Sequence, residues 1–328
     1  MPDSLRRVFI ASVPFGQVDR TPLRLLEEAG VEFAFKPEAR RYSEDEIARE
    51  LDGFGVVIAG LDPLTERVLA RVPQLRLISR TGIGLDTVDL DAARARGIAV
   101  AYTPEAPAAA VAELTIGLML ALLRSIPRAD REIRAGGWPR LVGRRLGDLT
   151  VGIVAAGRIG RRVIRHLAAF DANILVTDRH PDRSFGNRYG VRWVDFDELL
   201  RESDLVSLHV PLSADTKGMI GAAELARMKS DAMLVNTARG ELVDEAALVD
   251  ALRSGRLGGA ALDVFAAEPY SGALASLDNV VLTSHLGSMS ADCRARMERE
   301  AVEDVLRFLR GEPLQYPAPV PEPPAARA

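Results

Sequence analysis

Apolar and polar positions alternate along this chain in blocks. Short β-rich apolar runs ("RVFIASV", "VVIAG", "LRLIS", "IAVA") punctuate the first hundred residues, separated by segments with helical spacing. From Leu149 onward the alternation is more regular, through "LTVGIVA", "NILVT", "DLVSLHV", "AMLVNT", "AALDVF" and "NVVLTS". Strands that are apolar throughout, rather than at every second residue, are buried on both faces, and the helices between them supply the crossovers that parallel strands need. The pattern predicts an α/β chain built on doubly wound parallel sheets.

A length of 328 residues exceeds one ordinary compact core, so two domains are expected. The joint falls at "TPEAP" (Thr103 to Pro107), which runs into a long apolar helix ending near Arg124. Pro107 suits a first helical turn, where its missing N–H costs no hydrogen bond. The last helix, from about Ser290 to Arg310, stops at Gly311 and is expected to cross back to the first domain, making that domain discontinuous. The expected boundaries are 1–103 plus 290–312 for one domain and 104–289 for the other. A loose tail follows over 313–328, where six of 16 residues are proline.

Composition narrows the function. Hydrophobic residues at 48% and charged residues at 27% describe a soluble globular protein. A net charge of −4 and a pI near 5.7 offer nucleic acid no broad basic surface. A single cysteine, Cys293, excludes an internal disulfide framework or a cysteine-ligated metal cluster, and no metal is expected. The N-terminal apolar run is too short for a signal peptide. The run "AAAVAELTIGLMLALL", interrupted by Glu113, is expected to fall short of a membrane span and to form a buried or interface helix. A cytoplasmic protein with no membrane partner is the expectation.

Candidate chemistry gathers at strand ends. In "VGIVAAGRIG", Gly157 and Gly160 occupy the second and third glycine positions of a dinucleotide-binding turn. There, backbone N–H groups at a helix start meet the pyrophosphate and the last glycine allows close helix–strand packing. Ala155 stands where the first glycine belongs, which is tolerable if its φ stays negative. Alone, this match fits an ordinary β–α turn equally well. Its context adds weight: a strand precedes it, a helix follows it, and Asp178 ends the next strand 18 residues after Gly160. A carboxylate there accepts hydrogen bonds from ribose hydroxyls and repels a 2′-phosphate, favouring NAD over NADP.

Of four histidines, His166 lies mid-helix, His180 in a loop, and His209 at a strand end with a structural or cofactor-side role. His285, in "VVLTSHLGS", sits just past a strand's carboxyl end, where open α/β sheets place ligands. Arg239 in "NTARGE" and Glu268 in "DVFAAEP" follow two other strands. Each taken singly reads as a solvated charge; together they make complementary chemistry. A guanidinium forks onto the carboxylate and carbonyl of a 2-oxo acid, an imidazolium protonates the carbonyl oxygen, and a carboxylate beside it favours the charged ring.

At these residues the chain closely resembles the D-isomer-specific 2-hydroxyacid dehydrogenases, the phosphoglycerate dehydrogenase-like family. The resemblance runs from about residue 5 to 312 through "RTGIGLDTVDLDAARARGI", "AVAELTIGLMLALLR", "TVGIVAAGRIG", "SDLVSLHVPLSADTKGMI", "MLVNTARGELVDEAALVDAL", "GAALDVFAAEP" and "NVVLTSHLGS". It implies two Rossmann-like domains with the active site in the groove between them, and a homodimer formed through the nucleotide-binding domains. Carried over by motif, Arg239 binds and polarises the substrate, Glu268 tunes His285, and His285 is the acid/base. Arg158 and Ile159 place N–H groups on the pyrophosphate and Asp178 holds the ribose. Val210 and Pro211 flank the cofactor; Thr237, Ala238 and Asp263 lie on the nicotinamide side. The N–H groups of Ile83 and Gly84 receive the substrate carboxylate.

The chain departs from the family pattern in three places. One is Ala155. Another is "GLDPLTE", where Leu61 and Asp62 follow the strand that in phosphoglycerate-specific members leads to an arginine; an acid there is unfavourable beside a phosphate, although Arg80 could compensate. The third is Glu105 and Pro107, where relatives often show glycine and asparagine. The expected activity is NAD-dependent interconversion of a small D-2-hydroxy acid and its 2-oxo acid, glyoxylate or hydroxypyruvate first and 3-phosphoglycerate second. The alternatives are an NAD-sensing corepressor-like binding protein of the same fold and a phosphite-type dehydrogenase.

Overall fold

The computed structural model describes residues 6–38 and 40–319. It divides into two compact units, Met1–Pro107 with Ser290–Ala328, and Ala108–Met289.

The first unit holds β1 (Arg7–Ile10), α1 (Thr21–Glu28), β2 (Glu32–Phe35), α2 (Glu44–Glu50), β3 (Val56–Ala59), α3 (Glu66–Arg71), β4 (Leu77–Arg80), α4 (Leu90–Ala95) and β5 (Ala99–Tyr102). Its five strands are all parallel, in the order β2-β1-β3-β4-β5. The last helix, α12 (Ala291–Leu309), belongs to this unit. Ala301, Val302 and Val305 of α12 pack with Val8, Ile10, Ile58 and Leu77 on one face of the sheet, while Ile47, Leu51, Val68 and Leu69 of α2 and α3 join Phe9, Val57 and Ile78 on the other. Two-sided burial explains why the central strand, VVIA, is apolar at every position.

The start of the proline-rich segment is not loose. Pro317 pairs antiparallel with Ala101, Tyr102 donates its N–H to the Tyr316 carbonyl at 3.1 Å, and Ala318 donates to Val100 at 2.8 Å. The Asp304 carboxylate accepts from the N–H of Gln315 at 2.5 Å. The segment covers the open edge of β5, whose unpaired N–H and C=O groups need partners. The rest of the expected tail, 320–328, lies outside the described residues.

The second unit holds α5 (Ala106–Leu123), α6 (Ile126–Arg134), β6 (Thr150–Val154), α7 (Arg158–Ala168), β7 (Asn173–Thr177), α8 (Arg183–Tyr189), β8 (Val191–Trp193), α9 (Phe196–Glu202), β9 (Leu205–Leu208), α10 (Ala222–Arg227), β10 (Met233–Asn236), α11 (Glu245–Arg253), β11 (Gly259–Leu262) and β12 (Val280–Leu282). Its parallel strands run β12-β11-β10-β9-β6-β7-β8. The chain winds outward from β6 to β8 and then returns to β9 on the other side of β6, so a topological switch point lies between β6 and β9. Ligands of open α/β sheets bind beyond the strand ends there. Aspartates at 182, 195 and 244 each accept from the N–H three residues on and start α8, α9 and α11.

Helix α5 corrects one expectation. At 18 residues and a mean hydropathy of 1.9 it is long and apolar enough to span a membrane by length and composition, but 61% of it is buried inside the protein, with Ile116, Met119 and Leu123 in the core against Val151 and Ile153. Cys293 is buried, and burial pushes its thiol up to about 11.

Candidate active site

The turn after β6 is where the sequence reading of Ala155 fails. Its φ is +75°, in the left-handed region, not negative. The Ala155 N–H donates to the Thr177 carbonyl at 2.9 Å, tying the residue to β7 as the chain reverses toward α7. The turn's geometry thus demands the conformation that a first glycine would adopt freely, and alanine adopts it at a cost. Gly160 shows how tight the turn is, since a Cβ there would overlap the Ala155 carbonyl oxygen. Gly157 differs, for a Cβ there would meet nothing within 4 Å. Protein packing does not require that glycine, and the space over it is open.

Gly157 is the N-cap of the 11-residue α7, and no side chain caps this end. The first-turn N–H groups, those of Arg158 and Ile159 included, have no acceptor within the helix. Asp178 lies one residue past β7, with Oδ2 accepting from the Ala156 N–H at 2.8 Å and Oδ1 from the His180 N–H at 2.7 Å. An uncapped helix start, open space over Gly157 and a carboxylate at the adjacent strand end fit a dinucleotide.

Val210 and Pro211 follow β9, on the far side of the switch point. Beside them, His209 donates its backbone N–H to Val154 at 2.9 Å, and its Nε2 lies 3.0 Å from the Ser207 hydroxyl. Burial pushes this imidazole down to about 4, so it is neutral at pH 7. Of the other two histidines outside the site, His166 is half-buried on α7 and His180 is exposed. Thr237, 7% exposed, shares a 2.9 Å hydroxyl–hydroxyl hydrogen bond with Thr115 of α5.

Arg239, Glu268 and His285 stand on the loops after β10, β11 and β12, three adjacent strands. Asn236 shapes the first loop, since its Oδ1 accepts from the Ala238 N–H at 3.0 Å while its Nδ2 donates to the Arg239 carbonyl at 2.8 Å. Gly240 lets that loop press against the next, because a Cβ there would overlap the backbone of Phe265 and Ala266. Both residues escaped the sequence reading. The signals were present in "NTARG": an asparagine able to bond its own backbone two residues on, then a glycine directly after the arginine.

His285 and Glu268 meet directly, with Nδ1 of the ring 2.9 Å from Oε2 of the carboxylate. Oε1 of Glu268 accepts from the Phe265 N–H at 3.0 Å. Burial raises the Glu268 carboxyl, but the hydrogen bond and charge of His285, the Phe265 N–H and the charge of Arg239 outweigh it and hold the group below the usual carboxylate range. Glu268 is therefore an ionised acceptor at neutral pH. His285 itself has φ +56°, which is uncommon for a residue with a side chain. Asp263, 1% exposed, holds its loop: Oδ1 accepts from Leu286 N–H and the Thr283 hydroxyl, Oδ2 from Gly287 N–H. The side-chain hydrogen bonds of Asp263, expected on the nicotinamide side, go to the histidine loop.

In the first unit, Ile83 and Gly84 lie half-buried in the loop after β4, whose start is fixed by the Gly82 N–H donating to the Thr103 hydroxyl at 2.7 Å. Asp62 corrects another expectation. It does not present an acid to solvent: it is 3% exposed, and its Oδ1 accepts from Lys36 Nζ at 2.6 Å and from the Tyr42 N–H at 2.6 Å. The pairing joins residues 26 apart across separate loops, and nothing local in the sequence announces it.

Residues 116–287 match the sequence model described as D-isomer specific 2-hydroxyacid dehydrogenase, NAD binding domain. The chain is 37% identical to a glyoxylate reductase of Korarchaeum cryptofilum over 93% of both chains. It is 36% identical to a D-3-phosphoglycerate dehydrogenase of Archaeoglobus fulgidus over 85% of this chain and 54% of that one, so it spans about half the length of that relative. A crystal structure of a Thermus thermophilus protein superposes with a TM-score of 0.86 at 35% identity, covering 95% of this chain and 99% of that one.

Proposed function

The chain belongs to the D-isomer specific 2-hydroxyacid dehydrogenase family, and from that premise we propose that it interconverts a small D-2-hydroxy acid and its 2-oxo acid with NAD as cofactor. The observation that carries the reading is the His285–Glu268 hydrogen bond, on loops adjacent to the one that bears Arg239.

In the reducing direction, the Arg239 guanidinium orients the substrate through its carboxylate and polarises the 2-oxo group. Nδ1 of His285 is engaged by Glu268, which leaves Nε2 to hold the proton that goes to the oxo oxygen. Glu268 stays ionised, so Nδ1 keeps its hydrogen before and after transfer, and the ring returns to one defined tautomer. Bound NAD(H) supplies the hydride chemistry. The start of α7, with Gly157, Arg158, Ile159 and Gly160, receives its pyrophosphate; Asp178 receives its adenosine ribose, and Val210, Pro211, Thr237 and Ala238 line its remainder. Asp263 acts by holding the His285 loop. The N–H groups of Ile83 and Gly84 take the substrate carboxylate.

Glyoxylate and hydroxypyruvate lead as substrates, in keeping with a relative named glyoxylate reductase that matches over nearly the whole chain. The acidity of Asp62 does not count against 3-phosphoglycerate, because Lys36 neutralises that acid. Purified protein, NADH and a panel of 2-oxo acids test the reading by loss of nicotinamide absorbance. Tight NADH binding with no turnover of any of them contradicts it and favours the corepressor-like alternative.

The working form is a cytoplasmic homodimer joined through the NAD-binding units. Helix α6 buries none of its residues, and Trp138 and Val142 beyond it are 81% and 98% exposed, an apolar surface that a second copy would cover. Light scattering should report a dimer that Trp138→Ser with Val142→Ser weakens; a wild-type monomer at micromolar concentration contradicts it.

A further inference from the structure

Among the buried charged pairs that the mechanism leaves unused, Lys36–Asp62 stands at the strand ends. Lys36 follows β2 and Asp62 follows β3, both at the carboxyl end of the first unit's sheet. Their side chains are 4% and 3% exposed. Lys36 Nζ lies 2.6 Å from Asp62 Oδ1 and 4.1 Å from the centre of the Tyr42 ring. Asp62 Oδ2 is buried without a hydrogen-bond partner. Were Lys36 removed, a single N–H from Tyr42 would face an ionised carboxylate inside the fold. A buried charge with so little compensation projects its field much farther than a solvated one.

That field would fall on the loop assigned to the substrate. β3 and β4 are hydrogen-bonded neighbours with Ala59 opposite Arg80, and the Thr81 N–H donates to the Ala59 carbonyl at 3.1 Å. Asp62 and Ile83 each lie three residues past that pair. Past that pair the two loops meet again where the Leu64 N–H donates to the Thr87 carbonyl at 2.7 Å.

We propose that Lys36 is a specificity-setting residue for this reaction: by neutralising Asp62 within the fold, it lets anionic 2-oxo acids, and dianionic ones especially, reach the carboxylate-binding loop. The inference rests on the function proposed above and extends it to the charge of the substrate. It requires that the penalty of unmasking Asp62 grow with the ligand's charge. A merely structural role of the pair would weaken all ligands alike.

The test compares two non-reacting analogues, monoanionic oxamate and dianionic oxalate, binding to NADH-loaded full-length protein at pH 8, with KM and kcat for glyoxylate and oxaloacetate alongside. Lys36→Met should weaken oxamate about fivefold and oxalate about 25-fold, the square of the single-charge factor, at an effective dielectric of about 20 to 40. KM should follow the same ratio while kcat changes less. Lys36→Met combined with Asp62→Leu removes both charges and should restore the wild-type oxalate-to-oxamate ratio, as should Lys36→Arg. Asp62→Asn unmasks the ammonium instead and should shift the ratio the opposite way, a result available even if Lys36→Met fails to fold. An unchanged ratio in both Asp62→Asn and a folded Lys36→Met overturns the proposal. A wild type that neither turns over 2-oxo acids nor binds either analogue overturns the function and this inference together.

Discussion

Asp263 holds His285 through the backbone. The Asp263 carbonyl accepts the His285 N–H at 2.8 Å, and its carboxylate takes the N–H groups of the two following residues at 2.7 and 2.8 Å. Four hydrogen bonds, counting the one from Thr283, thus keep the histidine at φ +56°. Backbone held in a sparsely populated region persists only where its surroundings enforce it.

The Asp263→Asn variant should therefore lose activity through geometry. An amide group would turn a donor toward one of the two N–H groups and release the loop. The expected loss in kcat is about 10- to 100-fold, typical for a residue that orients a reacting group, with NADH affinity changed far less. Steady-state kinetics and NADH titration together check it; an unaltered kcat removes the positioning role.

Ala155 offers a test in the stabilising direction. At φ +75° it carries left-handed strain that glycine would not. Ala155→Gly should raise unfolding stability by about 1 kcal/mol, the strain relieved being partly offset by the greater freedom of glycine in the unfolded chain. Chemical denaturation measures it. A loss of stability would mean the alanine methyl makes contacts that outweigh the strain.

Cofactor choice depends on Asp178, whose carboxylate is fixed between the Ala156 and His180 N–H groups. Asp178→Ala should bring NADP use closer to NAD use, because the group that repels a 2′-phosphate is gone. The ratio of kcat/KM for the two cofactors reports it, and an unchanged preference dissociates Asp178 from the ribose.

His209 predicts an acid limit to stability. Its pKa is depressed from 6.5 to about 4 by burial, so below pH 6.5 the unfolded chain binds a proton that the folded one refuses. The associated stability is present above pH 6.5 and is lost as pH falls toward 4, by about 2 kcal/mol at pH 5. His209→Gln, which can still bond Ser207, should lessen the difference between denaturation midpoints at pH 7.5 and pH 5. An equal pH dependence in the two proteins would contradict the assignment.

Much of this site was legible in the sequence because it rests on short-range pattern. Apolar runs located the central strands, and Arg239, Glu268 and His285 each follow one of them within a few residues. What escaped depends on long-range geometry. Strands β2 and β8 are edge strands of four and three residues with none wholly buried, so they lack a continuous apolar signature. The φ of Ala155 is imposed by its bond to Thr177 across the sheet, and the neutrality of Asp62 by a lysine on another loop. Residue type alone reveals neither.

In the proposed reaction, hydride from NADH and a proton from His285 convert a 2-oxo acid to a D-2-hydroxy acid. Incubating the protein with NADH carrying two deuterons at C4 and with hydroxypyruvate, then determining the configuration and label position of the product, is the decisive measurement. The expected product carries deuterium at C2 of the D-enantiomer, formed at a rate that His285→Ala lowers by at least about 100-fold while NADH still binds. An L or racemic product, a C2 without label, or an equal rate in the variant would contradict it.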